Sequence, residues 1–421
     1  MSSAPAITPS SVGANWAVPY YVKGLALGVP VYLVAIHMWT WVLVVPNVLA
    51  RGGYDFRQLY AAASMVRMGH ASELYEYASQ REAQNRLVSP EALALPFVSP
   101  AYEALIVAPF TFFSYRTAYC LFLALNSAAL GICFFLLRPW MSNLRVVYSW
   151  LPAALFLGFL PVATALVEGQ DSILVTALLA GAFQSLTKGR AFRAGILIGI
   201  GLFKFPISLP IAMLFLLWRR WRLLLGFTIA ASIVISLSVW VTGVGQARLY
   251  IESLIAIIRL KGATNSVALY PVKWQLMANV HGFVAGIVGD WLPKLWVQVV
   301  AVALSAGVLG WTAIAGFRLK HASSLLLLSI PCSVLVGHHT NAYDLSVVLV
   351  PIIVLLNCFL PSEVQPSSKG RLVGRAAALM FVAPVMESYS LNHFYLVCLP
   401  LLFLLVAIAR APELAGLNRP A

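Results

Sequence analysis

The chain has 421 residues, of which 61% are hydrophobic and only 10% charged, with a formal net charge of +14. A soluble domain carries about a quarter charged residues, and repeated apolar runs of about 20 residues match the hydrocarbon thickness of a bilayer, so the composition excludes a soluble protein. The positive charge does not point to nucleic acid, because many of the basic residues fall in short loops between apolar runs, where membrane topology demands them.

The N-terminal segment 1–20 is polar and has no basic residue before Lys23, so it does not read as a secretory leader, and the first apolar run is expected to be retained. That run, Val22 to Ala50, leads directly into Arg51-Gly52-Gly53-Tyr54-Asp55-Phe56. The chain holds only 14 acidic residues, so a carboxylate where the first span meets water stands out. Asp55 has two readings, which do not exclude each other. It can cap the helix that follows, or it can be a functional acid or base at the membrane surface.

Phe56, Leu59, Tyr60, Ala63 and Val66 fall at helical spacing and predict an amphipathic helix over 56–68, ended at Gly69 and lying on the membrane surface. A second short helix is expected around 78–88, before the proline-rich stretch 90–100. Basic clusters then mark one membrane face: Arg138/Arg145, Lys188/Arg190/Arg193, Arg219/Arg220/Arg222, Arg318/Lys320 and Lys369/Arg371/Arg375. Placing them in the cytoplasm gives spans near 23–49, 147–166, 171–187, 223–241, 292–317, 322–336, 343–360, 376–389 and 391–409.

Two regions do not fit simple spans. Residues 101–113 and 117–137 are both apolar enough to enter the bilayer but must make one net crossing. Residues 194–203 and 206–218 start and end at basic clusters and read as short or broken helices meeting at Lys204-Phe205-Pro206. The expectation is an all-α, multi-span helical bundle of about ten to thirteen spans. It forms one polytopic membrane domain over 1–421, with a first outer loop at 50–100 and a second at 243–290. Trp218, Trp221, Trp291 and Trp296 read as interfacial anchors. The five cysteines lie in apolar runs without metal or disulfide spacing and read as packing residues.

This topology collects polar features on the outer face: Asp55; Glu168-Gly169-Gln170-Asp171; Arg259/Lys261; Lys273; and His338-His339-Thr340-Asn341-Ala342-Tyr343-Asp344. Each has a plain alternative. The 168–171 segment can be a polar turn, and the histidines can be loop residues, although Tyr343 and Asp344 follow His339 at helical spacing. Lys204, inside an apolar hairpin, needs an anion or a route to the interface. Their convergence points to one polar site, and the outer bases call for a local reason such as an anionic ligand. No metal or other cofactor is expected. Adjacent histidines do not make a metal site, the carboxylates are not clustered, and no phosphate loop, nucleophile elbow or dinucleotide fingerprint occurs.

A carboxylate with nearby cations on an outer face suits transfer from a lipid-linked donor, since activated nucleotides are not normally found there. Such chemistry needs a base for the acceptor hydroxyl, cations for the leaving phosphate, and a cavity open to lipid and water.

The residues also carry a resemblance. Tyr54-Asp55-Phe56, Tyr60-Ala61-Ala62, Gly69 and Leu74-Tyr75-Glu76 resemble the first-loop motif of glycosyltransferase family 87. The likeness continues in order through Ser99-Pro100, Pro109, Tyr119, Asn126, Gly169-Gln170, Ala194-Gly195, Lys204, Arg219-Arg220-Trp221-Arg222 and His339…Tyr343-Asp344, over about 55–350. The resemblance implies a fold of the membrane glycosyltransferase C type and an inverting hexosyltransferase, mannose being the sugar such enzymes move. The donor would be a polyprenyl-phosphate-linked sugar and the acceptor a lipid or a glycan, at the extracytoplasmic face of the cell (inner) membrane. It further implies Asp55 as catalytic base and His339 beside the donor phosphate. Tyr60, Glu168, Gln170, Lys204, Lys273, Tyr343 and Asp344 are the expected substrate-binding residues.

Two other readings stand beside this one. A transporter or flippase of lipid-linked or anionic solutes would share the broken helices and Lys204, but the chain lacks the pair of symmetric halves expected of it. A membrane scaffold or polymer ligase accounts for the composition but not for the ordered motifs.

Overall fold

The computed structural model describes residues 20–52, 55–90, 94–259, 273–360, 368–389 and 393–411. Tyr54 and Lys261 lie outside the described residues, as do the side chains of Arg259 and Lys369. Helices account for most of the described chain. In order they are α1 (Tyr20–Arg51), α2 (Phe56–Arg67), α3 (Tyr77–Leu87), α4 (Ala101–Val107), α5 (Tyr115–Leu137) and α6 (Ser142–Val147). Next come α7 (Leu151–Gly158), α8 (Leu160–Glu168), α9 (Ser172–Thr187), α10 (Ala191–Ile200), α11 (Phe205–Leu217) and α12 (Trp221–Arg259). The last six are α13 (Val280–Val288), α14 (Lys294–Gly316), α15 (Ala322–Val336), α16 (Leu349–Phe359), α17 (Ser368–Tyr389) and α18 (Cys398–Arg410).

Six segments are long and apolar enough to cross a membrane, or seven if α7 and α8, bent by 56° at Phe159, form one broken span. Shorter apolar helices of 10–17 residues accompany them. Large apolar side chains such as Trp39, Ile233, Trp240 and Leu295 face outward. In lipid that exposure costs nothing, and a helical backbone satisfies its own hydrogen bonds. The chain is an all-α, multi-pass membrane protein.

By length alone Ala191–Leu217 qualifies as a single span of 27 residues. The packing excludes a straight one. A Cβ on Gly226, at the start of α12, would lie 2.1 Å from Phe192 O, and one on Gly195 would lie 1.9 Å from Leu223 O. The start of α10 and the start of α12 therefore touch. Leu217 is only four residues before Trp221, so it lies within about 25 Å of Phe192, whereas a straight helix of that length would separate them by about 40 Å. The segment folds back on itself. A 3-10 turn, Gly201–Lys204, forms the apex, and Lys204 has non-helical backbone (φ −99°, ψ 61°). The break at Lys204-Phe205-Pro206 is thus present, with Pro206 in the first turn of α11, where its missing N–H leaves no helical bond unmade.

The first-loop helices lie near the expected positions, but α2 does not lie open on a lipid surface. Phe56, Arg57 and Leu59 to Met65 are all buried. Arg57 is held by Gln84, Asn85 and Ser89, and Tyr75 packs its ring 4.9 Å from that of Tyr250 in the last part of α12. That last part follows a kink at Gly243, whose φ of 82° suits glycine. Tyr75 N also donates to Gln246 at 2.8 Å, which ties the first loop to the end of α12.

Two expectations about local structure change. Trp218 is not an interfacial anchor. Its ring is buried against Gly316, and its Nε1 donates to Ala313 O at 2.8 Å. Trp221 and Trp291 are exposed, as anchors should be. His339, Tyr343 and Asp344 do not share a helical turn either. His339 precedes an extended Asn341, and a 3-10 helix, Ala342–Val348, begins only after it. A capping box between Asn341 and Asp344 forces the chain to turn there.

Candidate functional site

Four chain segments meet at the apex of the α10–α11 hairpin. The first is Asp55, at the N-cap position of α2. Its side chain makes no capping hydrogen bond, so the capping reading fails at the atomic level. The carboxylate instead accepts from Gln170 Nε2 and from the Tyr343 hydroxyl.

The second segment is the turn after α8. Gly169 terminates that helix in the left-handed region, at φ 64°. A Cβ there would lie 2.6 Å from Phe56 Cβ, so glycine lets the turn pack on the residue next to Asp55. Helix α5 braces the turn from below. Tyr119 donates to Val167 O at 2.7 Å, and the buried Asn126 donates to Gln170 O at 3.0 Å.

The third is Lys204. Its ammonium lies 2.9 Å from Asp171, 3.3 Å from Asp344 and 2.9 Å from Gln170 Oε1, and 5.1 Å from the Tyr343 ring centroid. The intramembrane lysine has therefore met anions, as its burial requires. Gln170 links it to Asp55, giving one continuous polar chain.

The fourth is the late loop, 337–344. Gly337 packs on Pro206 O; a Cβ there would approach to 3.1 Å. Asp344 accepts from Ser172 Oγ at 2.8 Å and from Asn341 N at 3.0 Å. Asn341 Nδ2 donates to the Tyr343 hydroxyl at 2.7 Å. His339 Nδ1 is buried without a partner. Asn279 ties this loop to α13 by donating to Gly337 O at 2.7 Å, and His281 sets its ring 4.8 Å from that of His338.

The electrostatics follow from burial and neighbours. Burial pushes the Asp55 carboxyl above its ordinary range. Lys204, Tyr343 and Gln170 oppose that rise, and Asp344 adds to it. Burial pulls His339 down to about 4. His338 and Lys204 act in the same direction, and Asp344 opposes them. His339 is therefore a neutral imidazole at physiological pH, able to donate from one nitrogen and accept at the other. The outcome is a carboxylate of raised proton affinity beside neutral donors, with the Lys204 ammonium already engaged by acids.

The structure brings together Asp55, Gln170, Lys204, Tyr343 and Asp344. Glu168 stands beside them, within the field of Asp55, Asp344 and Lys204. Tyr60 is turned away, donating to Phe113 O at 2.8 Å within an aromatic cluster formed with Phe56 and Tyr115. Lys273 is exposed at the edge of the described residues, just before Trp274. Glu103 and His281 carry no reading from sequence, and Asp171, read there only as part of the 168–171 turn, is the acid nearest the Lys204 ammonium. Glu103 is buried on α4, within the field of Asp171 and Lys204. Its sequence signal was a carboxylate inside an apolar run.

No curated protein and no solved structure matches the chain. The model of glycosyltransferase family 87 matches residues 97–338. The match takes in Asn126, the 168–171 turn, Lys204 and His281, and Asp55, His339, Tyr343 and Asp344 join them in space. The match spans more than half of the chain, which therefore belongs to glycosyltransferase family 87 and is a multi-pass membrane glycosyltransferase.

Proposed function

We propose that this glycosyltransferase moves a hexose, mannose by family resemblance, from a polyprenyl-phosphate-linked donor to a lipid or glycan acceptor. The reaction takes place on the extracytoplasmic side of the cell membrane. The observation that carries the reading is the Asp55 carboxylate, which is partly buried, free of any capping duty and held by Gln170 and Tyr343. Burial raises its proton affinity toward working pH, which suits a general base.

In this mechanism Asp55 takes the proton of the acceptor hydroxyl as its oxygen bonds to the anomeric carbon. The bond from that carbon to the donor phosphate oxygen breaks, and the electron pair leaves with the phosphate. Attack opposite the leaving group inverts the anomeric centre. Neutral donors of the late loop, His339 and Asn341, hold the phosphate as charge grows on it. Lys204 lends positive potential, but Asp171 and Asp344 already hold it, so its main part is to fix Gln170 and through it Asp55. Glu168, beside this group, is placed to meet the sugar or acceptor hydroxyls. Tyr60 supports α2 rather than substrate.

The orientation rests on charge. The basic residues Arg190 and Arg219 stand at the base of the hairpin and Lys204 at its apex, about 20 Å away along the helix. With the bases in the cytoplasm, the site opens toward the opposite face. Consumption of polyprenyl-phosphate-mannose by purified protein in detergent tests the reading. A transferase releases polyprenyl phosphate without any gradient. Intact donor with every acceptor offered, alongside gradient-driven movement in vesicles, would instead establish transport.

A further inference from the structure

A second feature lies apart from the polar site. Helices α5, α9 and α10 enclose a groove with a cavity volume of about 520 Å³. Its floor is one face of α9, on which Leu174, Ala177, Leu178 and Gly181 recur at helical spacing. Gly181 lets α10 pack closely on this face, since a Cβ there would press to 3.1 Å on Leu197 Cδ1. The walls are almost wholly apolar until one end, where Lys188, Arg190 and Arg193 gather, all of them exposed. From Leu174 to Lys188 the groove extends about 20 Å, roughly two thirds of a 30 Å hydrocarbon layer.

An apolar trough somewhat longer than one leaflet, with three cations at its mouth, is complementary to an amphiphile bearing an anionic head. The donor of the transfer reaction does not fit there. Its phosphate must lie within reach of Asp55, whereas these cations stand about 20 Å from Lys204. The inner end of the groove is lined by Ile200 and Phe203, immediately before Lys204. Its wall is fastened by Tyr102, which donates to Ile200 O at 2.9 Å.

We propose that this groove is a binding site for an anionic glycerophospholipid, with its phosphate on Lys188, Arg190 and Arg193 and an acyl chain along α9. The chain end packs on the turn that carries Lys204, so the bound lipid steadies the hairpin apex. Surface attraction alone would draw anionic lipid to the same cations, and the groove itself distinguishes the two.

The test uses full-length protein in nanodiscs of phosphatidylcholine containing a minor fraction of phosphatidylglycerol. Native mass spectrometry after release reads the retained lipid. Three proteins are compared: wild type, the surface variant Lys188→Gln/Arg190→Gln/Arg193→Gln, and the groove-filling variant Ala177→Trp. Wild type is expected to retain phosphatidylglycerol at least tenfold over its share of the disc, and both variants to lose that enrichment. Unfolding midpoints in phosphatidylcholine alone identify a variant that has not folded; Ala129→Trp, which fills the groove from α5, then replaces Ala177→Trp. Equal retention of the two lipids by wild type overturns the proposal. So does enrichment that survives groove filling, which would mean a charged surface only, or displacement of the lipid by inorganic phosphate alone.

Discussion

Gln170 bridges Asp55 and Lys204 with both ends of one amide: its Nε2 donates to the Asp55 carboxylate, and its Oε1 accepts from the Lys204 ammonium at 2.9 Å. An amide is suited to this position because it presents a donor to the carboxylate and an acceptor to the ammonium at once. Gln170→Leu is expected to lower kcat about 100-fold, the scale of a misplaced catalytic group. KM for the donor should change much less. Equal effects on both would mean that Gln170 binds substrate rather than positioning the base.

The pH dependence of turnover follows from the burial of Asp55. Because burial raises its pKa, the acid limb of the kcat/KM profile should lie above the ordinary carboxylate range of about 4. Removing the hydrogen bond from Tyr343, which opposes the rise, should move the limb further up. Tyr343→Phe therefore loses activity most at low pH and regains part of it as pH rises. A limb that stays in place in this variant would separate Tyr343 from the base.

Lys204, half-buried, sits between two buried carboxylates. Lys204→Met leaves Asp171 and Asp344 uncompensated and should destabilise the protein by about 3–5 kcal/mol. Adding Asp171→Asn removes one of the stranded charges and should restore part of that loss. Unfolding followed by denaturant or heat in a fixed detergent would show it. A double variant no more stable than the single one would mean that the charges are relieved by water.

Gly169 has two constraints at once, a φ of 64° and contact with Phe56. Gly169→Ala is expected to cost about 2 kcal/mol and to lower turnover by displacing the segment that carries Asp55. The reverse-handed backbone alone costs about 1 kcal/mol. Stability lost with turnover unchanged would show that the contact does not position the base.

Histidines His281 and His339 make the fold acid-sensitive. Burial holds both at about 4 in the folded chain, below the 6.5 of an unfolded one, with neighbouring histidines acting in the same direction. Between those values the unfolded state binds more protons, so stability is full above about 6.5 and declines as pH falls toward 4. For His281, the more buried of the two, the loss by pH 5 is about 1–2 kcal/mol. His281→Gln should flatten the dependence of the unfolding midpoint on pH over that window.

Much of the site was legible because polar residues in an apolar chain have few innocent uses. Lys204 beside a helix breaker, Gln170 in its turn and Asp344 after the histidines all stood out, and they meet. The backfolded hairpin was also legible, because Arg193 and Arg219 bracket helices too short to span. What sequence could not supply was direction. Helical spacing gives Tyr60 a face of α2, but α2 is buried nearly all round, so Tyr60 points to Phe113 while Phe56 packs on Gly169. Trp218 looks like any tryptophan beside arginines until Gly316, distant in sequence, admits its ring. Glu103 lay in a segment whose path was ambiguous, so its carboxylate could not be placed beside Asp171. Asp171 itself was read as part of a turn because its partner is brought to it only by the hairpin.

The most direct test of the central claim compares wild-type protein with Asp55→Asn in turnover of a short-chain polyprenyl-phosphate-mannose, with membrane lipid extract as acceptor. The asparagine keeps the shape and can still bond Tyr343, so folding should be unaffected, and the unfolding midpoint checks this. The account predicts that wild type consumes the donor and that Asp55→Asn, folded and still binding it, is slower by at least 100-fold, the lower end of what general-base catalysis contributes. Full turnover by the asparagine variant would contradict Asp55 as the base.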